Sequence, residues 1–257
     1  MVPYENILSL TIVNKTLPKR AYLSKKDHCI KHDWDIQDTS HCDACHIRAN
    51  NQALFSNVAQ EHIDSTSVFS NHLKANQIIY AQGDKGSGVF TVKYGIVKLA
   101  IIDINYKSRI VLLATAGMTI GLECLNNKPY DHYAVSLVPS GLCKIDVQSE
   151  EIKNDKTFND NLLRKWQDNF TQQTTMFEQF HSGSTTDKIR RLIELIITHS
   201  ASQGVFYMPT LDDISAIVAV SKENCSRAMS KLKKDNELMC HDEQQNLFIY
   251  QDQFTTI

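Results

Sequence analysis

The chain has 257 residues, of which 42% are hydrophobic and 22% charged, with a formal net charge of −2. This balance describes a globular protein of one large or two ordinary domains and excludes a disordered chain. It also excludes a general polycation, so any nucleic-acid contact has to be local.

No apolar run approaches the ~18 residues that span a bilayer. The start lacks a basic segment followed by an apolar stretch and a small-residue cleavage site. A cytoplasmic protein with no membrane partner is therefore expected. Seven Cys in a reducing compartment point to metal or redox chemistry rather than to a disulfide framework.

In chain order, residues 1–28 offer only a short apolar run, Ile7–Val13, readable as helix or strand. Cys29–Asn51 then reads CIKHDWDIQDTSHCDACHIRANN, with His28 just before it. It has neither helical nor alternating period and reads as a loop held by something other than a core. Cys42 and Cys45 form a C-x-x-C pair, a spacing at which two thiolates reach one metal ion or cluster. A zinc knuckle and a surface loop with incidental thiols are the other readings. A thioredoxin-like motif would need a βαβ context, which this stretch lacks.

Asn57–Thr66 suits a short helix. Short apolar runs punctuated by Gly follow: Gln77–Tyr80, Gly88–Val92, Tyr94–Ile102 and Arg109–Leu113, with turns at Gly83-Asp84, Tyr94-Gly95, Gly117 and Gly121. Strands of this length and spacing indicate a sandwich or barrel.

Residues 149–182 read as one long helix. Leu163, Trp166, Phe170, Gln173, Phe177 and Phe180 step by three and four, the seam of a helix that pairs with another helix, with Gln173 setting register. A core helix of a single chain would show the same stripe. His181-Ser-Gly-Ser-Thr breaks it. Asp187–Ser200 is amphipathic through Ile189, Leu192, Ile193 and Ile196, and Gly204 ends that segment.

Leu211–Leu232 reads as helix, tight turn, helix. Leu211, Ile214, Ile217 and Val218 have helical spacing, and Ser221 is an N-cap for the second helix. That helix brings Lys222, Glu223, Ser226 and Arg227 within about two turns. Glu accepts from the cytosine amino group, Arg donates bidentately to guanine, and Ser adapts to either. Lys222–Lys234 carries five cations (Lys222, Arg227, Lys231, Lys233, Lys234) against Glu223, a local basic patch in an acidic chain. Cys225 lies between the reading residues and reads as small packing, while Cys240 reads as incidental. Asn236–Leu238 and Leu247–Tyr250 suit a two-stranded wing around residues 244–246.

The motif Glu223-Asn-Cys-Ser226-Arg227 after Ile217–Val220 resembles the helix-turn-helix of the CRP/FNR family of transcription regulators, the FNR branch most of all. Ala219 departs from it where the family often has Gly. His41-Cys42-Asp-Ala-Cys45 resembles the FNR cluster segment. The resemblance covers roughly residues 40–250 and implies an α+β fold. It comprises an N-terminal Cys/His-rich segment (1–55), a cyclic-nucleotide-binding-like β-roll (56–148), a dimerisation helix (149–182) and a C-terminal winged helix-turn-helix (183–257).

It implies a parallel homodimer on double-stranded DNA, a half-site of the TTGAT type read by Glu223, Ser226 and Arg227, phosphate contacts from lysines such as Lys231, and RNA polymerase as partner. It also implies an oxygen- or redox-labile 4Fe–4S cluster on Cys42, Cys45 and Cys143, the last standing where the family's distant ligand lies. The family's third N-terminal Cys would fall at Asn51, so the fourth ligand is left open: Cys29, then Cys124, then a group such as His46 or an Asp. For a cyclic nucleotide, Gly121-Leu-Glu123 fits the start of the family's phosphate cassette. Pro129–Ala134 then offers no Arg or Lys for the cyclic phosphate, and His132 is a poor substitute, which disfavours cAMP.

The expected function is sequence-specific transcription regulation with an iron–sulfur sensor. A regulator without the cluster, using zinc, haem, nitric oxide or another small effector, is the alternative. A small-molecule-binding or redox module with no DNA role is the reading from another class. No nucleophile–base arrangement, Gly-rich phosphate loop or catalytic His motif is present, so an enzyme is not expected.

Overall fold

The computed structural model describes residues 35–36, 54–58, 68–102, 108–146, 150–202 and 204–251. All of them belong to one compact unit, residues 34–257. The Ile7–Val13 run, the Asn57–Thr66 helix beyond residue 58, and Cys29, Cys42, Cys45 and His46 lie outside the described side chains.

Nine strands build a roll of two antiparallel sheets. The first orders β1 (Asp35–Ile36), β2 (Val68–Leu73), β9 (Ser140–Ile145), β4 (Val89–Tyr94) and β7 (Thr119–Ile120) side by side. The second orders β3 (Ile78–Tyr80), β8 (Tyr133–Ser136), β5 (Val97–Ile102) and β6 (Ser108–Ala114). Branched and aromatic residues on half-buried pleats explain the strands. Phe90, Val92, Leu99, Ala134 and Leu142 fill the space between the sheets.

The β4–β5 turn falls at the expected Gly95, whose φ of 81° and closeness to Ser140 admit no Cβ. β2, β7, β8 and β9 carry no strong strand signal. In β9, Gly141 lies under the Tyr94 ring, where a Cβ would stand 2.3 Å from Tyr94 Cε1.

The long helix is two helices. α1 (Glu150–Asn154) ends at Asp155, which caps α2 (Lys156–His181) by accepting from the Phe158 backbone N–H at 2.7 Å. An Asx cap inside an otherwise helical pattern breaks the continuity the spacing suggests. α2 has two working faces.

One face carries side-chain amides and an ammonium at i, i+4 positions that bond backbone carbonyls of the same chain. Asn161 donates to Leu54 O at 2.9 Å and Ser56 O at 2.7 Å, and Lys165 to Gly117 O at 3.0 Å. Asn169 donates to Thr119 O at 2.6 Å and Gln173 to Val111 O at 3.1 Å. The other face presents Leu163, Trp166, Phe170 and Phe177, at least 62% exposed each. The expected seam is thus corrected at two positions: Gln173 anchors its own roll, and Phe180, 3% exposed, is buried in its own chain.

α3 (Thr185–His199) starts at the Ser184 cap and buries Ile189, Leu192, Ile193 and Ile196, as its periodicity predicts. It packs with α4 (Leu211–Ile217), α5 (Lys222–Lys234) and a three-stranded sheet ordered β10 (Phe206–Tyr207), β12 (Leu247–Tyr250), β11 (Leu238–Asp242). The wing is therefore longer on its first strand than expected and is joined by β10, too short to signal itself. Arg190 of α3 binds Glu237 through two hydrogen bonds of 2.7 and 2.8 Å at the foot of the wing. This core also takes in Ile96, Leu113, Leu137 and Val138 from the roll.

Candidate nucleic-acid interface

α4 begins at Thr210, whose hydroxyl accepts from the Asp213 N–H at 3.2 Å and donates to Asp213 Oδ2 at 2.9 Å, a reciprocal cap. Ile214, Ile217 and Val218 face the core, while Leu211 is 38% exposed, so the predicted apolar stripe starts one turn late. The turn passes through Ala219 at φ 53°. Ser221 then caps α5, accepting from Asn224 N–H at 3.3 Å.

Cys225, Ala228 and Leu232 anchor α5 on α3 and α4. Cys225 is fully buried, and burial raises its thiol pKa. Opposite these anchors, Lys222, Glu223, Ser226, Arg227 and Lys231 are all exposed. At 100° per residue, Glu223, Ser226 and Arg227 lie within an arc of about 100°.

The arrangement offers, side by side, a carboxylate, a hydroxyl and a guanidinium on a helix whose back is fixed. Ser230, also exposed and one turn beyond Ser226, joins this face. Its i+4 spacing is the signal the sequence reading passed over. Of the remaining cations, Lys222 bonds Asp212 at 2.6 Å, and Lys233 sits 5.2 Å above the Phe248 ring of the wing. Lys231 and Lys234 stay on the outer face near the end of the helix.

In the roll, Cys143 is half-buried on β9, in register with the buried Ser70 of β2 and Thr91 of β4. Ser70 pairs in turn with Asp35 of β1. Cys124 is 2% exposed in the main core, and burial pushes its thiol up to about 11. Its sulfur is enclosed among core side chains, which counts against Cys124 as the fourth cluster ligand. Among the described residues, no three His, Cys, Asp or Glu side chains come together as a metal site.

The segment that would hold a cyclic phosphate is filled differently. Tyr130 stacks on Tyr80 with ring centroids 3.9 Å apart and donates to Gly88 O at 2.7 Å. His132 faces Glu123 Oε1 at 3.3 Å. Burial acts to raise the Glu123 carboxyl, but its bonds to His132 and to backbone N–H groups outweigh it and hold the acid below its ordinary range. With His132 engaged by Glu123 and no Arg or Lys in residues 129–134, this segment offers a cyclic phosphate no cation.

The family described as the cyclic nucleotide-binding domain matches residues 70–150. A search of curated proteins by sequence found no match. Among solved structures, a CRP-family transcriptional regulator from Thermus thermophilus is similar, with 12% identity, 71% of this chain and 92% of that chain covered, and a TM-score of 0.59. FixK2 of Bradyrhizobium japonicum has 14% identity, coverage of 72% and 93%, and a TM-score of 0.58. The c-di-GMP responsive global regulator CLP of Xanthomonas campestris has 14% identity, coverage of 76% and 100%, and a TM-score of 0.52. The chain therefore contains a cyclic nucleotide-binding-type β-roll and has the α+β fold of CRP-family regulator structures.

Proposed function

We propose that the protein is a dimeric, sequence-specific DNA-binding transcription regulator of the FNR type. The observation that carries this reading is the outer face of α5. Glu223, Ser226 and Arg227 stand exposed together while Cys225, Ala228 and Leu232 hold the helix from behind. This is a rigid reading surface of the width a major groove accepts.

The exposed apolar row on α2 is the surface through which two copies would pair, so that two reading helices meet half-sites one helical turn apart. Selection from a random duplex pool should enrich a two-fold symmetric site, and Arg227→Ala should cost about 1–3 kcal/mol there and relax one base position. Unchanged affinity and unchanged specificity in that variant would overturn the assignment.

The sensor half of the reading is an iron–sulfur cluster on Cys42, Cys45 and Cys143, with Cys29 as fourth ligand. Its support is the register that runs from Asp35 through Ser70 to Cys143 across adjacent strands, a separation of about 10 Å. Cys42 follows Ile36 by six residues, a reach of up to about 20 Å. When bound, such a cluster supplies an oxygen-labile link between the N-terminal segment and the roll. Cys143 contributes a half-buried thiol on a central strand, a fixed point for that link. Anaerobically purified protein should hold iron and acid-labile sulfide and lose both in Cys143→Ser. Zinc alone, or iron retention in that variant, would overturn the cluster.

A further inference from the structure

The DNA-facing module contains a cation that already has a partner. Lys222 is the first residue of α5, and its ammonium lies 2.6 Å from Asp212 Oδ1 on α4. Both side chains are mostly open to water, 61% and 67% exposed. The pair therefore spans the two helices of the helix-turn-helix on its outer surface, beside Glu223 and one turn from Ser226. The second acid of α4, Asp213, is turned the other way: it is buried and engaged with Thr210 and with Lys98 of the roll. Asp212 has no such inward partner, and its carboxylate is spent on the cation that opens the reading helix.

An ion pair this exposed contributes little to folding, and although an acid in the first turn of α4 favours the helix, neither effect gives a reason for it to lie against the cation that opens the reading helix. Its chemistry gives one. A carboxylate oxygen and a phosphate oxygen accept from an ammonium in the same way.

We infer that Asp212 is an internal stand-in for a DNA phosphate. It holds Lys222 in place in the free protein and gives it up to the backbone when duplex arrives. This deepens the DNA-reading proposal and rests on it. The exchange has a measurable signature. A lysine that meets a phosphate releases a condensed counterion from DNA. Here the ammonium must first leave Asp212, so the contact adds less affinity than an unpaired lysine would. Asp212 thereby holds down sequence-independent binding without touching the base-reading groups.

The test uses the full chain and a mixed-sequence duplex of about 30 base pairs, titrated between about 50 and 200 mM salt. Asp212→Asn should bind about two- to fivefold tighter at the low end. Asp212→Ser, a second neutral residue suited to the start of a helix, should do the same, with thermal melting used to verify that both fold.

In a Lys222→Met background the gain should vanish. If Asp212→Asn gains as much without Lys222, Asp212 acts by direct repulsion and the exchange is overturned. No change in affinity for the single variants also overturns it. If the folded wild-type chain retains no duplex at low salt, the DNA-reading proposal itself fails and takes this inference with it. Retention with an affinity that Asp212→Asn leaves unaltered sinks the exchange alone.

Discussion

Ala219 holds a backbone conformation that its side chain disfavours. At φ 53° its Cβ crowds the following carbonyl, at a cost of roughly 1 kcal/mol relative to Gly. The residue is exposed, so no packing compensates. Ala219→Gly should raise stability by about 1 kcal/mol in urea unfolding and leave the DNA sequence preference unchanged. A loss of stability would mean that the turn is not left-handed. Size alone makes Ala look harmless there; the sign of φ is what the turn selects. His132 and Glu123 show the same principle in the roll. A His in the place of a phosphate-binding cation reads as a weak ligand in sequence, and the structure adds that Glu123 occupies it.

Among the elements, α2 does two jobs with one periodicity. Positions 161, 165, 169 and 173 bind the helix to its own chain through carbonyls. Positions 163, 166, 170 and 177 leave an apolar row uncovered. Lys165 is the costly member of the first set: burial lowers its pKa, and its nearest carboxylate, on Asp168, is 4.0 Å away. The ladder fixes which way the apolar row faces, since a helix pinned every fourth residue cannot roll.

Phe170→Ala should weaken dimerisation by about 2 kcal/mol, roughly thirtyfold in Kd, because central aromatic anchors dominate such interfaces. Sedimentation at graded protein concentrations checks it, and a dimer indifferent to the change would remove α2 as the interface. One-dimensional spacing shows that a stripe exists. It does not reveal that Gln173 and Phe180 turn back to their own chain, because both lie at the stripe's edges, where a small rotation of the helix decides the side.

At the scale of the whole molecule, the roll and the helix-turn-helix module share a core. Ile96, Leu113, Leu137 and Val138 of the roll pack with the α3–α5 residues. Two polar ties reinforce the joint: Lys98 of β5 pairs with Asp213 of α4, and Gly95 N–H donates to His199 O at 2.6 Å. The roll therefore grips α4, the helix that supports α5, and a change in the roll has a direct mechanical route to the exposed face of α5. Lys98→Met should cost about 1–3 kcal/mol in urea unfolding, because Asp213 is left buried with only its helix-cap partner. Lys98→Arg should recover most of it. Equal stability of all three proteins would show that the joint is held by its apolar contacts alone.

The residue order by itself determined the helix-turn-helix, its Ser221 cap and its Glu-x-x-Ser-Arg face, because helix periodicity and end signals are local and repeat within a few residues. It also determined the strand-and-turn character of the roll, and the short roll strands with weak signals are the part it left unread. The tertiary structure alone decided that Cys124 is sealed in the core, that Cys143 shares a register with Asp35, that Lys222 is paired with Asp212, and that the roll clamps α4. Each of these joins residues far apart along the chain or on different elements, and their pairing is fixed by how sheets and helices close around two cores rather than by any local spacing.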